Sequence, residues 1–158
     1  MSRLKNFWAQ YRPEIILTAL IFALDRASKI IALIWLAPKG SVYIAPFFRL
    51  TYVENTGAAF GSFQGGNYVL VGLSAIILLL LFKWRGEFIR TGPLARYAFI
   101  FIIAGALGNV YDRIVLGYVV DYFDFIIWPV FNIADSFITV GAVLLGYSLI
   151  FSKKGESR

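Results

Sequence analysis

Four stretches of the chain, about residues 14 to 36, 67 to 84, 94 to 115 and 131 to 151, are apolar over lengths that match a bilayer. A hydrocarbon core of about 30 Å needs roughly 20 residues at 1.5 Å of rise each. Inside lipid, the backbone N–H and C=O groups have no water to bond, so a spanning segment must satisfy them along its own length as a helix. The composition agrees: 59% of the 158 residues are hydrophobic and only 15% charged, which excludes an ordinary soluble domain. The expected fold is an all-α membrane protein, a four-transmembrane-helix bundle forming one domain over residues 1–158, with no fixed-period repeat.

The basic residues assign an orientation. Arg3, Lys5 and Arg12 precede the first run, Lys83, Arg85, Arg90 and Arg96 lie between the second and third, and Lys153, Lys154 and Arg158 end the chain. The two other connections, 37–66 and 116–130, have only Lys39, Arg49 and Arg113 in or beside them. Cytoplasmic loops carry the excess of Lys and Arg, so both termini are placed in the cytoplasm and the two longer loops outside. That pattern accounts for the net charge of +6 without a nucleic-acid partner. The basic start before IILTALIFAL is like a secretory signal peptide, but Asp25, Arg26 and Lys29 interrupt the region where small neutral residues belong, and it is read as a retained first helix. Pro13 and Pro93 are placed at or before first helical turns.

The first outer loop contains VYIAPFFRLTYVE, rich in β-branched and aromatic residues, and predicts a small extracytoplasmic sheet or hairpin. Gly57, Gly61, Gly65 and Gly66 surround Phe60 and Phe63, giving a flexible aromatic segment expected to lie in the interface before helix two. The second outer loop, FDFIIWPVF, is too apolar for a solvated connection and is expected to skim the headgroups, with Trp128 in the interface.

Cysteine and histidine are both absent. Their absence removes disulfides, thiol nucleophiles, Ser-His and Cys-His hydrolases, H-E-x-x-H metalloproteases and the usual zinc sites. Carboxylate, hydroxyl and lysine chemistry remain. No cofactor is called for; Asp and Glu oxygens are able to hold Mg²⁺ or Ca²⁺, but nothing in their arrangement requires a metal.

Polar residues within the apolar runs are costly, about 2.5 to 3.5 kcal/mol for a charge at the helix centre, so they mark function or tight pairing. Asp25 and Lys29 are four apart on helix one and are expected to form a structural ion pair. Asn109, Asp112 and Arg113 gather at the outer end of helix three. Arg113 is read as snorkelling to the surface and pairing with Asp112, or, with Asn109, as positioning substrate. Gly105 and Gly108 beside them permit close approach of another helix. Asn132 and Asp135 occupy the outer start of helix four, where Asn132 suits a cap. Asp135 is hard to assign to capping alone, with Asp121 and Asp124 near it in sequence. Two carboxylates in a poorly solvated site do not both ionise easily; one stays protonated while the other is a base, which is a route to amide hydrolysis. The residues by themselves leave Asp112, Asp121 and Asp124 all open as partners for Asp135. A Ser-Lys peptidase using Lys29 with Ser136 or Ser28 is a second enzyme reading. A small ion- or proton-coupled transporter using the same carboxylates, and a non-enzymatic scaffold, are readings of other classes. A relay through the full depth is poorly served by NYVLVGLSAIILLLLFKW, which is almost without polar groups.

Taken in order, D-R-A-S-K at 25–29, N-T-G-A-A-F at 55–60, G-N-V-Y-D-R at 108–113, V-V-D at 119–121 and F-N-I-A-D at 131–135 resemble the lipoprotein signal peptidases, or signal peptidase II. The likeness runs from Asp25 to Gly141. It implies a monomeric intramembrane aspartyl endopeptidase in the bacterial inner membrane, with its site toward the outer face. Its substrate would be a prolipoprotein, cut before the diacylglyceryl-modified cysteine. By the same resemblance the catalytic pair falls on Asp121 and Asp135. Asn55, Asn109, Arg113 and Asn132 match positions of substrate binding or site geometry, and Asp25, Lys29 and Asp112 match structural support. For a substrate that enters sideways from the bilayer, the resemblance also makes sense of Gly57, Phe60 and Phe63 as a mobile lid. Tyr122, where Phe is more usual, and Ala104, where Gly often stands, are the departures.

Overall fold

The computed structural model describes residues 2–57 and 66–151, with side chains from residue 11 onward. Phe60 and Phe63 lie outside the described residues. Helix α1 (Ser2–Ile31) passes into a π turn (Ala32–Leu36) and a 3₁₀ turn (Ala37–Lys39). Strands β1 (Ser41–Ala45) and β2 (Phe48–Asn55) follow, then α2 (Asn67–Arg90), α3 (Pro93–Val115), β3 (Val119–Asp124) and α4 (Ile133–Phe151). The predicted apolar runs are thus helical. Three of these helices, α2, α3 and α4, are long and apolar enough to cross a membrane. Helix α1 has the length as well, but Glu14, Asp25, Arg26 and Lys29 interrupt its apolar stretch.

Three boundaries differ from expectation, one being that α2 runs on to Arg90 rather than ending near residue 84. The first helix begins at Ser2 rather than near residue 14, so Pro13 lies inside it. A proline removes one N–H from the ladder, and helices at membranes accommodate it. The last turn before the outer loop is wound as a π turn, not α. It buries Ala32 and Leu36 against Val120 and Tyr122.

Helix α3 is central and packs against α1, α2 and α4. Its small residues set the distances: a Cβ on Gly105 would meet the Ala134 carbonyl oxygen and Ile138, and one on Gly108 would meet Asp25. From the other side, Gly141 of α4 lies against Ala98 and Ile102. Lipid tails are as apolar as leucine, so close backbone packing of this kind holds membrane helices together. At the opposite end from the sheet, Glu14 accepts from Arg85 and Arg96, both at 2.6 Å, and ties α1 to α2 and α3.

The sheet is antiparallel in the order β1-β2-β3. The first loop contributes two strands, as its composition predicts. The second loop also contributes β3, paired Val53 to Asp121 and Asn55 to Val119, which overlaps the apolar FDFIIWPVF only at Phe123 and Asp124. Between Leu50 and Val53 the register shifts, setting Thr51 and Tyr52 against one residue of β3. Phe131 closes the outer edge of β3, its amide donating to Phe123 O at 3.1 Å. Strand alternation then divides the side chains. Val120 and Tyr122 pack on the π turn, while Val119 and Asp121 face a groove beside the helices.

Candidate active site

Asn132 immediately precedes α4 and makes a reciprocal cap with the third residue of the helix. Its Oδ1 accepts from the Asp135 amide at 2.9 Å, and Asp135 Oδ2 accepts from the Asn132 amide at 3.2 Å. This is the capping-box exchange with Asp in place of Glu. The cap fixes the Asn132 amide group, so its Nδ2 points away from the helix and donates to Asp121 Oδ1 at 2.6 Å. One fully buried side chain therefore joins the two aspartates, one from the sheet and one from α4.

The remaining oxygens are held from two other elements. Asn55 of β2 donates through Nδ2 to Asp121 Oδ2 at 2.8 Å, its own Oδ1 accepting from the Gly57 amide at 3.0 Å. Asn109 of α3 donates through Nδ2 to Asp135 Oδ1 at 2.7 Å. Asn109 Oδ1 accepts from Lys29 Nζ at 2.8 Å. Burial, then the charge of Asp135, pushes the Asp121 carboxyl up to about 7; hydrogen bonds from Asn55 and Asn132 and the charge of Lys29 act the other way.

Behind this pair lies a buried ion cluster. Asp25 and Asp112 are 0% exposed and Lys29 is 1%. Lys29 Nζ reaches Asp112 Oδ2 at 2.8 Å and Asp25 Oδ2 at 3.2 Å, the expected partner four residues earlier. Arg26 bridges Asp112 and Asp25 from the same helix. The cluster also supports backbone near the site: Asp112 Oδ2 accepts from the Val120 amide at 3.2 Å, and Asp25 Oδ1 from the Ala134 amide at 3.1 Å. Asp112 is thus paired with Arg26 and Lys29, not with Arg113 as sequence adjacency suggests. Adjacent residues on a helix point about 100° apart, which disfavours that pairing.

Arg113 does not snorkel outward. Its guanidinium donates to the Gly57 carbonyl at 3.2 Å, and its Nε is buried with no hydrogen-bond partner among the described residues. Lys29 has three acceptors for its three protons, on Asn109, Asp25 and Asp112, and neither serine is among them. Ser28 is engaged with the Asp25 carbonyl and the Tyr122 hydroxyl, and Ser136 with the Asn132 carbonyl. The Ser-Lys reading has no geometry to stand on. Tyr122, the departure from Phe, uses its hydroxyl to donate to Ser28 Oγ at 2.7 Å. Arg26 is the member of the cluster that sequence reasoning misses. Its place directly after Asp25 is the available signal.

The aspartates open onto a groove of about 1120 Å³. Its upper wall carries Asn55, Gly57, Asn109 and Arg113 on one side and the Ile126–Phe131 segment on the other. Beyond them it runs between Ser74 and Ile77 of α2 and Ile138 to Val140 of α4, a largely apolar trough between two of the long apolar helices. Ile126 at the rim has φ 69°, a left-handed conformation unusual for a β-branched residue, held by its amide donating to Asp124 Oδ1 at 2.8 Å. Among the described residues there is no cluster of three or more acidic groups arranged to hold a metal ion.

Comparison with known proteins decides the family. The family model described as signal peptidase (SPase) II matches residues 17–151. The chain belongs to the signal peptidase II family. Lipoprotein signal peptidases of Caldanaerobacter subterraneus subsp. tengcongensis and Clostridioides difficile are 43% and 44% identical to it. These matches cover 87% and 90% of this chain and 95% and 98% of theirs. The Aeromonas hydrophila lipoprotein signal peptidase is 45% identical over 82% of this chain and 83% of its own. A solved bacterial membrane enzyme, 32% identical, superposes with a TM-score of 0.77 over 92% of this chain and 93% of that one. As a member of this family, the chain is a peptidase and a multi-pass membrane protein.

Proposed function

We propose that this protein is an intramembrane aspartyl endopeptidase that removes the signal peptide from bacterial prolipoproteins, cutting on the amino side of the diacylglyceryl-modified cysteine. The observation that carries the reading is the bridge through Asn132, which caps α4 with Asp135 while donating to Asp121 at 2.6 Å. The substrate class rests on the name shared by the relatives.

In hydrolysis the ionised carboxylate takes a proton from water as the water oxygen bonds to the scissile carbonyl carbon, and the protonated carboxyl gives its proton to the carbonyl oxygen. The resulting diol collapses when the first carboxyl protonates the leaving nitrogen and the second recovers a proton from one hydroxyl. The C–N bond breaks and both aspartates return to their starting states. Arg113 and Asn55 stand on the groove wall beside the pair and are assigned to substrate backbone. Asn109 and Asn132 are assigned to site geometry. Gly57, through its bonds to Asn55 and Arg113, ties the loop to the site.

The apolar trough between α2 and α4 suits an apolar signal helix entering from the side. For topology, four crossings with both termini in the cytoplasm put the sheet and the aspartates at the outer face of the inner membrane. The test is cleavage of a lipidated precursor in detergent by wild type, Asp121→Asn and Asp135→Asn. Both variants are expected to insert and melt like wild type and to lose cleavage. Substantial turnover by either one, or equal cleavage of an unlipidated precursor by wild type, refutes the corresponding part of the reading.

A further inference from the structure

Asp121 and Asp135 each accept two hydrogen bonds, so the count of donors does not say which of them is the base. The origin of the donors differs. For Asp121, Asn55 is aimed by a neutral backbone amide, that of Gly57, and Asn132 by the amide of Asp135. For Asp135 the line leads to a charge. Lys29 is a donor without acceptor capacity, so the Asn109 oxygen must face it and the Asn109 Nδ2 must face Asp135. Lys29 is ion-paired with Asp25 and Asp112, and its hydrogen bond to Asn109 leads toward the reacting pair. Asp135 also lies in the first turn of α4, where the exposed amide dipoles favour an anion.

We propose that Lys29 is a positioning residue that acts through Asn109, making Asp135 the carboxylate that rests ionised and leaving Asp121 to hold the proton of the pair. The proposal rests on the aspartate-pair reading above and adds to it a division of labour: Asp135 activates water, and Asp121 protonates the scissile carbonyl. The ion cluster is then an electrostatic source for the site as well as a tie between helices. The position of Asp121, pushed up to about 7, is in keeping with it.

The other charged or titratable groups near the pair do not make the same distinction. Arg113 of α3 acts on both aspartates, and the charge of Lys29 itself is felt at both. Asn109 Oδ1 also accepts from Asn132 Nδ2 at 3.2 Å, but the Asn109 donor that Lys29 orients goes to Asp135. Asp25 and Arg26 on α1 and Asp112 on α3 are bound up with Lys29. Glu54 of β2 lines the groove, and Tyr122 of β3 is turned to Ser28.

The experiment follows each carboxyl separately. The full chain, labelled with ¹³C at the carboxyl carbons of Asp25, Asp112, Asp121, Asp124 and Asp135, is titrated in detergent by NMR. The two signals are assigned by their loss in Asp121→Asn and Asp135→Asn. In wild type the Asp135 carbon is expected to be ionised over a pH range in which the Asp121 carbon is still protonated; the reverse order overturns the proposal. In Lys29→Met and in Asn109→Leu the two titrations draw together, and the acid limb of kcat/KM moves toward neutral pH by about one unit. Lys29→Arg, which keeps the charge, leaves that limb in place even where it lowers the rate. A folded Lys29→Met or Asn109→Leu enzyme that is slower at every pH with both limbs unmoved shows a merely structural role and overturns the proposal. Should Lys29→Met fail to fold, the wild-type titration and Asn109→Leu decide between the two roles. If Asp121→Asn and Asp135→Asn both continue to cleave, the aspartate-pair reading itself has failed, and this proposal with it.

Discussion

Substituting Gly105 by Ala adds one methyl group where α3 lies hard against the backbone of α4. Its Cβ would fall 2.8 Å from Ile138 Cγ1 and against the carbonyl oxygen of Ala134, whereas ordinary contacts begin at 3.4 Å. Ile138 has a side chain that can turn aside. The Ala134 carbonyl is backbone, so relief requires the first turn of α4 to move. The displacement needed is about half an ångström or more, and overpacking of this kind costs about 1 to 3 kcal/mol. The same turn carries Asp135, and a misplacement approaching 1 Å at a reacting group lowers rates by about 10²-fold. Gly146→Ala is the control: it lies on α4, the helix that carries Asp135, a Cβ there meets nothing within 4 Å, and alanine is the better helix former by about 0.5 to 1 kcal/mol. Thermal unfolding in detergent and cleavage of a lipidated precursor are measured for both. Gly105→Ala is expected to melt lower and cleave far more slowly, and Gly146→Ala to melt at or above wild type with full activity. A Gly105→Ala enzyme indistinguishable from wild type in both assays would refute the claim that this contact positions the catalytic turn.

Two further outcomes test the site. Asn132→Ala removes both the cap and the bridge, costing about 1 kcal/mol of stability together with most of the activity, whereas Asn132→Ser restores the cap alone. Wild-type melting with cleavage still low in the serine variant separates the two roles, and full cleavage there counts against the bridge. For pH, a buried acid pushed up to about 7 holds its proton more tightly folded than unfolded. Stability from Asp121 is therefore fully present below its unfolded value of 3.8 and declines as pH rises toward about 7. Denaturation of wild type against Asp121→Asn reads this directly. Over the same range kcat/KM is expected to fall above about 7, as the acid form of Asp121 is lost.

The helical runs are legible in the sequence because lipid leaves a backbone few choices, and hydropathy reports that directly. Their ends are less so: nothing apolar announces Ser2 as the start of α1, and the π turn at Ala32–Leu36 seats Val120 and Tyr122, which are distant in sequence. Strand β3 has a signal in V-V-D-Y-F, but the apolar FDFIIWPVF overlapping it favours an interfacial reading. The partner of Asp135 is not accessible from the residues alone. What brings Asp121 to Asp135 is the pairing of Val53 with Asp121 across some seventy positions, together with the cap on α4. Asn55 is placed by the resemblance only, since its position depends on that same long-range register. The misassigned partner of Asp112 has a similar cause: its counter-charges come from another helix, where sequence proximity gives no guidance.

A hydrolytic site lodged among the cell's own membrane proteins is a hazard if it forms prematurely. Here the Asn132 amide that caps the fourth helix is also the strut between the two proposed catalytic aspartates. A chain whose last segment has inserted but not yet wound its first turn therefore has two separated carboxyls and no machinery for cutting. On the proposed function, winding that turn and completing the site are one event.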